Sequence, residues 1–249
     1  RNRFTRSVYP GENMIDYTTI NVSKIGLTLN IQLNRPTIGN SFNTVMRDEL
    51  FTVFKYLQWD KEIRSVLITA EGDNFCTGAD LTEFGTAPSL VKAREIRQER
   101  DLWALILNSQ IPIITAIQGY CIGSGLELAL LGDIRICSID SIFQMPEPKL
   151  GLIPAAGGTQ TLTRTMKLGF AKNVLLTGSP ITSEDALNFG LVSRVVQTNQ
   201  IQMEGESIAK DINSKPPEYM NLIKSISSAY LHNHIIDNSD TLSSGTGRD

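Results

Sequence analysis

Ile111-Pro112-Ile113-Ile114-Thr115-Ala116-Ile117-Gln118-Gly119-Tyr120-Cys121-Ile122-Gly123-Ser124-Gly125-Leu126-Glu127 is the stretch on which the rest of the chain turns. It opens with an apolar, β-branched run, Ile111 to Ile117, too short to cross a membrane and read as a buried strand. Gly119, Gly123 and Gly125 follow in close order, and the pattern turns helical through Leu126, Leu128, Ala129, Leu130 and Leu131. A strand that enters a helix through a glycine-rich turn aims backbone N–H groups at whatever lies over the helix N-terminus. Glycines let a ligand approach that backbone. Glu127 falls in the first turn of this helix, close to any oxyanion bound there. The arrangement suits chemistry on an acyl group.

Outward from this point the chain reads as α/β. Tyr17 to Val22 and Leu27 to Leu33 are β-rich, and Leu27, Leu29, Ile31 and Leu33 alternate with polar residues as in a half-buried strand. Asn34-Arg35-Pro36 breaks the run. Ser41 or Asn43 caps a helix to about Leu57, with Val45, Leu50, Val53, Phe54 and Leu57 on one stripe. Arg64 to Ala70 is the next strand, Asp73 to Ala79 a loop, and a charged helix covers about Ser89 to Asn108 with its basic residues on a solvated face. Beyond the organising turn come strands at Ile134 to Cys137 and Leu191 to Val196, with a short extended piece at Ser141 to Phe143. Helices are expected after Gly157-Gly158, at Phe170 to Thr177, and from a Ser183 cap to a C-terminal Gly190. From Gln200 the chain is helical with a break at Pro216-Pro217, a separate layer, and the tail from Asp237 is frayed. Residues 1–13 read as an arm, 14–196 as the core and 197–249 as a helical C-terminal region.

The bulk properties narrow the function. A chain of 249 residues, 41% hydrophobic and 20% charged, is long enough to bury a core without disulfides or metal. A net charge of −3 with no basic face argues against nucleic acid, and no apolar run reaches the length of a membrane helix. Cys76, Cys121 and Cys137 form no C-x-x-C pair and fit reduced thiols in a cytosol-like compartment, or the mitochondrial matrix if the arm is a transit remnant. His232 and His234 both lie near the C-terminus, so a histidine triad or metal site in the main body is not expected.

Two features point at a site. The loop Asn74-Phe75-Cys76-Thr77-Gly78-Ala79-Asp80 follows a buried-type strand just as the organising turn does, and two N–H groups from two such turns make an oxyanion hole if they converge. On the residues alone, Asp80 reads as a cap for the following turn ahead of a chemical group. Glu147, between Pro146 and Pro148, is expected on a rigid extended mount. If Glu127 and Glu147 face one pocket they can share a water, with burial and mutual repulsion raising one pKa toward the range of acid–base catalysis.

These stretches resemble the crotonase superfamily of enoyl-CoA hydratases and isomerases. The likeness runs through Leu33-Asn34-Arg35-Pro36, Phe75 to Leu81, Ile117 to Ala129, Asp133-Ile134-Arg135, Pro146-Glu147, Gly151 to Pro154 and Gly157 to Gln160, and it covers about residues 17–230. The resemblance implies a spiral of repeated ββα units with a helical C-terminal region that builds a homotrimer, often a dimer of trimers. It implies an acyl-CoA thioester as substrate, with no metal or redox cofactor. It places the oxyanion donors on the backbone N–H of Ala79 and Ser124 and the catalytic acids on Glu127 and Glu147. It lines the CoA channel with Thr77, Gly78, Asp80, Leu81 and Thr82, beside Gly123 and Gly125. Retention of both acids implies hydration of a trans-2-enoyl-CoA. The rival readings are double-bond isomerisation or C–C or ring chemistry on an acyl-CoA, a dinucleotide-binding fold, and a non-catalytic member of the fold. Gly119, Gly123 and Gly125 do not match the dinucleotide spacing. Serine at position 124, where the family often has glycine, adds bulk near the thioester. The chain stops at Asp249, about where the resemblance implies a final helix that helps cover the CoA site, so either truncation or disorder of that helix is expected.

Overall fold

The computed structural model describes residues 16–83, 100–154 and 156–227. Its larger sheet contains six strands in the order β1 (Ile20–Ile25), β2 (Thr28–Leu33), β3 (Ser65–Ala70), β4 (Ile113–Ile117), β6 (Ile134–Ser138) and β9 (Arg194–Val196). Only β1 runs antiparallel to its neighbour. A smaller sheet has the order β5 (Tyr120–Ile122), β7 (Ile142–Gln144) and β8 (Ile181–Thr182). Between them stand helices α1 (Thr44–Leu57) and α2 (Leu102–Leu107), then α3 (Ser124–Leu130), α4 (Gly158–Thr165), α5 (Leu168–Thr177), α6 (Ser183–Asn188) and α7 (Ile201–Asn213). The chain feeds one strand to each sheet before α3 and again before α4: β4, β5, α3, then β6, β7, α4. This is the ββα spiral expected from the resemblance.

The central strands are apolar on both faces because both faces are covered. Every residue of β3 and β4 is buried. Leu67, Ile114, Ala116 and Ile136 pack under Ile201 and Ala209 of α7. Val66, Ile68, Ile113, Ile117 and Cys137 join the opposite cluster with Leu50, Val53 and Phe54 of α1 and Leu102 and Ile106 of α2. The helical C-terminal region is therefore a layer on the sheet. Past Pro216, helical residues 217–227 are tied down by Lys224, whose buried ammonium lies 2.7 Å from Asp133 Oδ2 and donates to Ile111 O at 2.8 Å.

Several expected boundaries move, each for a physical reason. The first strand starts at Ile20 and not Tyr17, because the N–H groups of Thr18 and Thr19 are taken by the Glu49 carboxylate. Asn43 caps α1 by accepting from Met46 N, and Met46 completes the buried stripe while Val45 is exposed. Thr182, not Ser183, caps α6, and Ser183 turns inward to donate to Ile139 O. The last strand shortens to Arg194–Val196, because Leu191 O is occupied by Arg135 and the N–H groups of Leu191 and Val192 by Ala186 O. The arm 1–13, most of the charged helix from Ser89, including Lys92, Arg94 and Arg97, and the tail from Asp237 lie outside the described residues.

Candidate active site

The two glycine-bearing turns run side by side. Cys76 and Cys121 form an isolated parallel bridge, with Cys76 N donating to Tyr120 O and Ile122 N to Cys76 O. Ala79 and Ser124 each stand three residues past a bridged cysteine, on the two adjoining turns. Gly125 is needed for this closeness: a Cβ there would lie 2.5 Å from Cys76 O. Among the described residues no group accepts from the N–H of Ala79 or of Ser124. For Ser124 this follows from its place in the first turn of α3, where N–H groups have no partner within the helix.

The direction of the Ala79 N–H follows from pairing. Phe42 N donates to Gly78 O at 2.7 Å and Asp80 N donates to Phe42 O at 2.8 Å, and Phe42 is the bridge partner of Ala79. Ala79 is thus bracketed by bonds from its two neighbours, which turns its own N–H to the opposite side.

The smaller sheet delivers the acids. Parallel pairing sets Ile122 opposite Gln144, and Gly123 N donates to Gln144 O at 2.8 Å. Glu147 follows three residues later and lies against Gly123, where an added Cβ would sit 2.8 Å from Glu147 Oε1. Gly123 also has φ of 49° and ψ of −119°, a conformation open to glycine. The mount differs from expectation: Glu147 opens a 3-10 turn, Glu147–Leu150, following Pro146 at φ −79° and ψ −7°, in place of an extended segment. The chain must reverse here to leave the sheet. Half-buried Glu147 has its pKa raised above the ordinary 4.5 by desolvation, partly offset by a hydrogen bond from its own backbone. The repulsion expected from a second carboxylate is not among the causes. Its Oε2 is buried with no hydrogen-bond partner among the described residues.

Glu127, in the first turn of α3, is 3% exposed. Its Oε1 accepts from Ala156 N and Gly158 N, each at 2.9 Å. The loop before α4 therefore clamps this carboxylate, a contact with no sequence signal beyond the glycine pair at 157 and 158. Ser124, Glu127 and Glu147 all gather at the N-terminal end of α3.

On the rim beyond Ala79, Thr77, Leu81 and Thr82 are exposed while Gly78 is buried. Asp80 has both oxygens engaged within the fold. Oδ1 accepts from Thr82 N and Oγ1, and Oδ2 pairs with Arg35 at 2.9 Å. The Thr82 hydroxyl and then Arg35 hold its pKa below the usual carboxylate range. The capping reading of Asp80 fits these bonds better than direct contact with CoA. Asn40 was not singled out by the sequence, yet it is fully buried beside this loop with φ of 54°. Its position after Gly39 in a turn was the available signal. Among the described residues no group of three or more histidine, cysteine, aspartate or glutamate side chains is arranged to hold a metal ion.

The family description "Enoyl-CoA hydratase/isomerase" matches residues 26–241. The chain is 35% identical over 198 residues to a probable mitochondrial enoyl-CoA hydratase of Arabidopsis thaliana, covering 79% of this chain and 65% of that protein. It thus spans a little under two thirds of that relative's length. It is 30% identical over 211 residues to a short-chain-enoyl-CoA hydratase of Clostridium acetobutylicum, covering 84% and 81% of the two chains. The crystal structure of an enoyl-CoA hydratase/isomerase from Mycobacterium paratuberculosis matches with a TM-score of 0.83 at 28% identity, over 91% of this chain and 92% of that one. A match across most of the chain and a shared ββα spiral lead to one conclusion: the chain belongs to the enoyl-CoA hydratase/isomerase family of the crotonase superfamily.

Proposed function

We propose that this protein is an enoyl-CoA hydratase, adding water reversibly and syn across the double bond of a trans-2-enoyl-CoA to give a 3-hydroxyacyl-CoA. One observation carries the reading: Glu147 lies against Gly123, at the start of the helix whose first turn holds Glu127. Two acids at one end of one helix support water addition to a thioester, and the Ala79 and Ser124 N–H groups, without acceptors among the described residues, are the donors this reading assigns.

In this scheme the thioester carbonyl accepts hydrogen bonds from Ala79 N–H and Ser124 N–H. These stabilise the enolate-like charge that develops as water adds, each typically worth about 3–4 kcal/mol. Glu127, held by Ala156 and Gly158, orients the water and takes its proton as the hydroxyl joins C3. Glu147 delivers a proton to C2; its raised pKa and its unpartnered oxygen support the donor role. The proton on Glu127 returns to Glu147 through solvent before the next cycle. No metal or redox cofactor enters the scheme.

Thr77, Gly78, Leu81 and Thr82 border the CoA path, with Asp80 bracing it from behind. A homotrimer or dimer of trimers belongs to the same reading. Tyr219, Leu222, Ile223 and Ile226, each more than half exposed, form a stripe at i, i+3, i+4 and i+7 on helical residues 217–227 that supports it. Three free, buried thiols fit a reducing compartment, the cytosol or the mitochondrial matrix. The test is a series of trans-2-enoyl-CoA and 3-enoyl-CoA thioesters of increasing chain length. Loss of enoyl absorbance with formation of 3-hydroxyacyl-CoA is expected. Double-bond migration without any hydration would place the protein among the isomerases.

A further inference from the structure

We propose that Arg35 and Asn40 are positioning residues for the oxyanion donor at Ala79, acting through the strap of residues 39–42 that runs beside the loop 77–80. The inference rests on the oxyanion-hole part of the proposed function.

The strap and the loop are joined by three backbone bonds: Thr77 N to Gly39 O, Phe42 N to Gly78 O and Asp80 N to Phe42 O. The last two fix the direction of the Ala79 N–H, so whatever fixes the strap fixes the donor. Among the described residues no further strand pairs with the strap on its other side. Two side chains supply the anchorage.

Arg35 spans both segments. One guanidinium nitrogen donates to Ser41 O at 2.5 Å and the other to Asp80 Oδ2 at 2.9 Å, on either side of the Phe42–Ala79 bridge. Asn40 works from beneath. Its Nδ2 donates to Glu71 O at 2.9 Å and Asn74 O at 2.8 Å, and its Oδ1 accepts from Arg35 N at 2.6 Å. It therefore joins the strap to the stretch that leads from β3 into the oxyanion loop. Asn74 continues the linkage, since its Oδ1 accepts from Tyr120 N in the turn that carries the second donor. Asn40 is the only non-glycine residue with positive φ among the described residues. Glycine would meet that backbone demand at less strain. Asparagine is there because its amide makes three bonds that glycine cannot.

Lysine in place of Arg35 keeps the charge beside Asp80 but cannot reach Ser41 O at the same time. Glycine in place of Asn40 keeps the backbone conformation and removes the anchor. Neither change removes a group that touches substrate. Asn40→Gly and Arg35→Lys are compared with the parent protein in two assays. The first is steady-state hydration of crotonyl-CoA. The second is the absorption of bound 4-dimethylaminocinnamoyl-CoA, a conjugated thioester whose band moves to the red as its carbonyl is polarised. A misaimed donor lowers kcat by about 10–100-fold with KM changed less than threefold, and shrinks the red shift in both variants. A role confined to folding would lower the melting temperature and leave kcat and the red shift of the folded fraction at parental values. That result in either folded variant overturns the proposal, and Arg35→Lys decides it should Asn40→Gly not fold. The absorption assay separates the two readings. A parent that shifts the chromophore without hydrating any trans-2-enoyl-CoA of the chain-length series loses the hydratase assignment, and the positioning role is still decided by the shift. A parent that does neither overturns both.

Discussion

Glu147, the proposed proton donor, shows how a carboxyl group is tuned at the scale of one residue. Burial raises its pKa, and a raised pKa in the folded state means that the fold binds this proton more tightly than the unfolded chain does. Its contribution to stability is full below the unfolded value and is lost as pH rises through the folded one. Once ionised, the group is held at a cost to the fold. Glu147→Gln should therefore lower kcat for hydration by about 10²–10⁴-fold. The same change should raise the melting temperature at neutral pH, with the gain shrinking as the buffer is taken below pH 4.5, the ordinary value for the group. Calorimetry across pH checks the second half, and a melting temperature lowered at neutral pH would contradict it. Gly158 offers a companion test on Glu127. A Cβ there would meet Glu127 Oε1 at 2.9 Å and Met145 Cε at 3.0 Å. Gly158→Ala should cut kcat by at least tenfold while circular dichroism stays unchanged. Of these features the sequence displayed the acids and the glycines. It did not display Asn40, or the clamp on Glu127, because both depend on bonds between residues some thirty positions apart.

At the scale of elements, the organising strand–turn–helix was legible because each part carries its own local signal: β-branched residues, glycines, then a leucine-rich helix. Boundaries slipped where a distant side chain took the backbone bonds, as Glu49 does at Thr18 and Thr19 and Arg135 does at Leu191. The docking of helical residues 217–227 is also decided at a distance. Lys224 reaches Asp133, in the turn after α3, and Ile111, just before β4, so the C-terminal layer is fastened to both ends of the organising unit's supports. Burial lowers the Lys224 pKa, while Asp133 acts against that shift. Lys224→Ala would leave Asp133, itself 30% exposed, without this partner. Its midpoint in urea should fall by the equivalent of about 3 kcal/mol, with a faster loss of amide protection in residues 217–227 than in β3 and β4. A midpoint within error of the parent would show that the ion pair contributes nothing to docking.

At the scale of the whole molecule, the described residues form a ββα spiral whose interior keeps its thiols from solvent. Cys76, Cys121 and Cys137 are free and buried. Burial pushes the Cys76 thiol up to about 11 and that of Cys137 to about 12, and raises Cys121 well above its usual value. A thiol reagent at neutral pH should find almost no reactive group in the native protein and all three on unfolding in guanidinium, since only the thiolate reacts. Rapid native labelling of even one would contradict the burial described. The exposed stripe on residues 217–227 belongs to the same scale. Ile223→Asp should shift the protein to a smaller species in light scattering after gel filtration, whereas an unchanged mass would place the subunit contact elsewhere.

Alternation of apolar and polar residues, the two glycine turns and two glutamates beside them set the fold class and singled out two candidate acids, because hydrophobic periodicity and turn chemistry are local properties that survive in a linear string. What the string does not hold is pairing between segments. The pairing of Cys76 with Cys121, the direction of the Ala79 N–H, the burial that raises the Glu147 pKa and the anchorage of the Ala79 loop by Arg35 and Asn40 all arise only when segments distant in sequence align. Register and desolvation are properties of neighbours in space, and the tertiary structure alone decides who those neighbours are.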